Sequence, residues 1–101
     1  MDRFEKFVKY LKERVPTKRK VAVHRIAMKD DGSTGLSDCG RITVSISRKL
    51  PVHRQLDTLV HEWGHVLEFD KHGNHGREWG IGQSKAYEAW EEFRDVVEPK
   101  L

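Results

Sequence analysis

At 101 residues, with 37% hydrophobic and 35% charged side chains, the chain fits one small domain, residues 1–101, with a modest core and a heavily solvated surface; disorder throughout is excluded. Its single cysteine, Cys39, excludes an internal disulfide framework and a zinc site built from four cysteines. The net charge of +3 is unevenly divided: residues 1–50 hold 13 Lys/Arg against 6 Asp/Glu, net +7, while residues 51–101 hold 6 against 10, net −4.

The N-terminal run MDRFEKFVKYLKERV carries charges every few residues and no continuous apolar core, so it reads neither as a signal peptide nor as an anchor. No run approaches the roughly 20 apolar residues that span a bilayer. The expectation is a soluble, cytoplasmic protein without a membrane partner. Within residues 2–15, Phe4, Phe7, Val8, Leu11 and Val15 fall on one helical stripe that Pro16 closes. The basic run Lys12 to Lys20 follows, either a phosphate-facing patch or, with no aromatic residues interleaved for stacking, a solvated helix end and turn.

Val21 to Met28 is rich in β-branched residues and reads as a strand, and Asp30-Asp-Gly-Ser-Thr-Gly35 has the composition of a turn. Arg41 to Ser47 alternates cleanly, with Ile42, Val44 and Ile46 on one face, and is the strongest strand signal in the chain. Pro51 suits the first turn of a helix on which Leu56, Leu59, Val60, Trp63 and Leu67 recur at helical spacing to about Phe69. A last amphipathic helix is expected from near His75 to before Pro99, with Trp79, Ala86, Trp90, Phe93 and Val97 inward. The fold class is therefore α+β: an N-terminal helix, a small β-sheet of two to three strands, a third-quarter helix and a C-terminal helix.

The segment HEWGHVLEFDKHGNH, residues 61–75, holds four of the six histidines. Residues four apart share a helical face, so His61 and His65 can direct both imidazoles at one ion, and Glu62 beside them can take a proton from water at that ion. That is the geometric content of HExxH. A plain exposed histidine stripe would leave the bulky Trp63 and the helix-disfavouring Gly64 inside the motif unexplained; a glycine there permits close approach of another backbone. For the third ligand, Glu68 and Lys71 stand where an extended HExxHxxGxxH motif needs Gly and His. Glu88, Glu91 and Glu92 fit the solvated face of the last helix better than a metal. His75, where a short loop re-enters a helix, is the better donor, with His72 its close competitor and Asp70 a remote option.

Leu59-Val-His-Glu-Trp-Gly-His65 followed by His75-Gly-Arg-Glu-Trp79 resembles the SprT-like zincin domain, particularly its short stand-alone, phage-type versions. The resemblance spans roughly residues 56–90. It implies a minimal zincin-like fold, a Zn2+ cofactor held by His61, His65 and His75, Glu62 as catalytic base, and hydrolysis of a protein or peptide substrate. The loop between the second and third histidines is short, and the zinc ribbon of many relatives is absent from residues 1–101. DNA is a conceivable partner through Lys18, Arg19 and Lys20; oligomeric state is not encoded in any motif.

For the group that stabilises the tetrahedral intermediate, Tyr87 on the last helix is the first candidate, with His24 and Arg41 behind it. Asp57 and Glu68 are candidates to orient the imidazoles, and Trp79 and Trp90 read as core. Strand 41–47, if it is the sheet edge above the HExxH helix, could accept an extended peptide by backbone pairing. The competing function is a zinc-stabilised, non-catalytic binding domain for nucleic acid or a protein partner, in which Glu62 has no task.

Overall fold

The computed structural model describes residues 1–70 and 77–101, with side chains for 1–70 and 81–101. Helix α1 spans Arg3–Arg14; the Asp2 carboxylate caps it by accepting from the Glu5 amide at 2.8 Å, which satisfies one of the open N–H groups of the first turn. Its stripe is the expected one: Phe4, Phe7, Leu11 and Val15 are buried.

Strands β1 (Val21–Ile26), β2 (Gly32–Leu36) and β3 (Ile42–Ser47) form a mixed sheet in the order β1-β3-β2, with β3 parallel to β1 and antiparallel to β2. The alternation read in β3 holds, since Ile42, Val44 and Ile46 are all buried on one face. Two expectations are corrected. Strand β3 is central, so it offers no edge to a peptide, and most of the segment read as a turn is the edge strand β2. Its two glycines have low strand propensity, but pairing with β3 overrides it through a hairpin at 37–40, where Gly40 adopts φ +83° and its amide bonds the Ser37 carbonyl at 2.9 Å.

Helix α2 (Val52–Asp70) starts directly after Pro51, whose carbonyl accepts from the amides of Arg54 and Gln55. Helix α3 (Arg77–Glu92) runs on into a π-helical turn at Phe93–Val97 and a last 3-10 turn at Glu98–Lys100. Ala86, Trp90 and Phe93 are buried as expected, whereas the side chain of Trp79 lies outside those described. Phe7 of α1 meets the rings of Trp90 and Phe93 at 5.1 and 5.2 Å, so the first and last helices close one core with α2 and β3. The described residues form an α+β domain of three α-helices and a three-stranded sheet. No helix among the described residues is long and apolar enough to cross a membrane.

Helices α2 and α3 approach closely where both carry glycine. A Cβ on Gly82 would lie 3.1 Å from the Gly64 carbonyl oxygen and 3.0 Å from Leu67 Cβ. The glycine inside HEWGH thus faces a second backbone.

Candidate metal centre

The five consecutive positions 61–65 of α2 divide among different surroundings because each residue turns about 100° from the last. Glu62 is turned toward β2, Trp63 is fully buried, Gly64 packs on α3, and His61 and His65 lie on the outward side, His61 exposed and His65 half-buried. The two imidazoles stand one turn apart with ring centroids 5.4 Å from each other and planes tilted by 75°.

Glu62 is only 7% exposed. A carboxylate so placed needs a donor, and Thr34 of β2 supplies it: its hydroxyl donates to Glu62 Oε1 at 2.8 Å and lies 3.3 Å from the Glu62 carbonyl oxygen. Two residues earlier on β2, a Cβ on Gly32 would lie 2.7 Å from Thr58 Cγ2, 3.1 Å from the Ser45 carbonyl oxygen and 3.3 Å from Glu62 Cγ. Only glycine admits the strand this close to α2. Beside this contact runs an open groove of about 650 Å³, walled by Asp30, Asp31, Arg54, Asp57, His61 and Glu62.

The edge strand is oriented for pairing. Ser37 N–H bonds the Arg41 carbonyl and Ser47 N–H bonds the Asp31 carbonyl, so residues 31, 33, 35 and 37 pair inward to β3. The backbone groups of Gly32, Thr34 and Leu36 therefore point to the open side of the sheet.

Other expected site residues are dispersed. His24 is exposed on β1, the opposite edge of the sheet, and Arg41 lines a separate groove of about 410 Å³ with Lys12 and Lys20. Tyr87 is 52% exposed on α3, where Arg94 is a neighbour. Asp70 is engaged elsewhere: its carboxylate accepts from the backbone amides of Lys18 and Arg19 at 3.0 and 2.9 Å, which ties the end of α2 to the α1–β1 connection. Glu92 likewise accepts from the Tyr10 hydroxyl and from Arg14, and these two donors, Tyr10 first, hold its carboxyl below the usual range. Both carboxylates are thus occupied by donors from the α1 end of the chain. Asp57 shares the groove with His61, and Glu68 is buried one turn beyond His65.

Among the described residues no group of three or more His, Cys, Asp or Glu side chains is placed to hold a metal ion, and His72 and His75 lie outside the described residues. Thr34 is the residue that sequence reasoning missed. The available clue was the turn-like Ser37-Asp-Cys-Gly40 directly before the strongest strand, which calls for a hairpin partner at 32–36. Compared with protein-family models, curated proteins and solved structures, the chain gives no match.

Proposed function

We propose that the chain is a small zinc-dependent metallopeptidase of SprT-like, zincin-like type. The observation that carries this reading is the joint placement of a buried, hydrogen-bonded Glu62 beside the His61/His65 pair and against an open sheet edge. Two imidazoles on one helical face suit zinc as donors, and His61, His65 and His75 would hold it. When bound, zinc polarises a carbonyl and brings the pKa of water toward about 7. Glu62 would take a proton from the attacking water and pass it to the leaving amine. An HExxH residue with this burial and a dedicated donor fits a base better than a bystander in a structural site.

Zinc stoichiometry of the wild type, His72→Ala and His75→Ala after dialysis against a weak chelator tests the reading. One zinc per chain is expected in the first two and little in the third. A folded wild type that holds none would overturn it.

The substrate lies along β2 as an added extended strand, its backbone bonding the outward groups of Gly32, Thr34 and Leu36. Proline at position 36 removes an outward N–H without touching the β3 ladder, so Leu36→Pro is expected to raise KM several-fold with zinc retained. An unchanged KM in a steady-state peptide assay would place the substrate elsewhere.

A further inference from the structure

We infer that Thr34 is the positioning residue for the Glu62 carboxylate, an inference that rests on the peptidase reading above. A glutamate on a helix has three rotatable bonds, and burial alone does not select which oxygen faces a substrate. Here Glu62 Oε1 accepts from the Thr34 hydroxyl at 2.8 Å, which commits that oxygen to β2 and leaves Oε2 to receive a proton. The donor is itself stiff, because threonine is β-branched and its backbone is fixed in the β2–β3 ladder opposite Val44. The wall behind the carboxylate is equally confined, since a single methyl at Gly32 would press on Glu62 Cγ, Thr58 and the Ser45 carbonyl.

Thr34 also has a second connection. Its backbone groups point to the open edge while its side chain points to Glu62. A peptide paired to the backbone of residue 34 and the carboxylate held by its hydroxyl are thus registered by the same residue. Displacement of a reacting group by about 1 Å can cost roughly 100-fold in rate, so a donor that sets this register matters to kcat.

The plain structural role, in which Thr34 only satisfies a buried carboxylate, makes a different prediction, and two substitutions separate them. Thr34→Val keeps the shape and removes the donor; Thr34→Ser keeps the donor and removes a methyl. The measurements are peptide kinetics on the zinc-loaded protein, plus the side-chain carboxyl 13C resonance of Glu62 in the metal-free protein at one fixed pH. Thr34→Val is expected to lower kcat about tenfold or more at unchanged KM and folded fraction, and to displace the resonance. Thr34→Ser is expected to restore both to near wild type. Wild-type kcat in Thr34→Val, an unmoved resonance, or a serine variant as impaired as the valine one overturns the assignment. Absence of hydrolysis in the wild type, with the resonance difference intact, overturns the peptidase reading and the base role with it, while the Thr34–Glu62 hydrogen bond stands.

Discussion

Glu62→Gln is expected to reduce peptide hydrolysis by about 10²- to 10⁴-fold, the usual contribution of a positioned acid–base group, while zinc content and melting temperature stay near wild type. The substitution changes one atom. A glutamine carbonyl oxygen accepts from the Thr34 hydroxyl as Oε1 does at 2.8 Å, so the side chain keeps its place against β2 and loses only the ability to take a proton. The two functional readings part at this variant. A non-catalytic domain whose metal serves folding alone has no use for a carboxylate at position 62, and in it the amide would be silent in every assay. Full residual hydrolysis in Glu62→Gln would remove the general-base assignment; loss of zinc or of folding would show that the carboxylate serves the site's architecture rather than its chemistry.

What the sequence announces and what it conceals differ by physical origin. The helical stripe of α1, the alternation of β3 and the HExxH pair are periodic signals, and each of Phe7, Val44 and Ile46 is buried where its period places it. A helix-disfavouring residue in a motif calls for a packing reason, and the structure places the Gly64 carbonyl against Gly82 of α3, where a Cβ would lie 3.1 Å from it. The strand order was not readable, because the parallel pairing of β1 with β3, which sets Val21 beside Ile42, passes over the intervening β2 and is not written in either strand's own pattern. That error moved the open edge from β2 to β3. It also hid Thr34, whose neighbours Gly32, Ser33 and Gly35 describe a turn to any local measure and a strand only once β3 pairs with them. The partners of Asp70 and Glu92 were unreadable for a related reason: a carboxylate's spacing says nothing of the amide, hydroxyl or guanidinium it will meet from 51 to 82 residues away in sequence.

The largest loss of stability is expected from the residue in the middle of the metal motif. Among the described residues Trp63 is the largest fully buried side chain, and Trp63→Ala would remove its packing and leave a cavity, at a cost of about 3–5 kcal/mol. Against a typical total of about 5–15 kcal/mol that is severe, and for a domain of this size it corresponds to a fall in Tm of at least about 12 °C. His61→Ala makes the contrasting case. His61 is exposed, so its removal from the metal-free protein should change stability by no more than about 0.5 kcal/mol, and its effect should emerge only with zinc, where a ligand at 100 times its Kd adds about 2.7 kcal/mol. Melting curves with and without chelator therefore sort the two. Trp63→Ala should melt early in both conditions, and His61→Ala should melt like the metal-free wild type and fail to gain from zinc. A Trp63→Ala protein within a few degrees of wild type would contradict the burial of α2, and a full zinc-dependent gain in His61→Ala would remove that histidine from the ligand set. The division matters for the proposed function because one stretch of five residues would carry both tasks: the buried indole anchors the helix in the core, and that anchoring fixes the two outward imidazoles one turn apart and the Glu62 carboxylate turned toward β2.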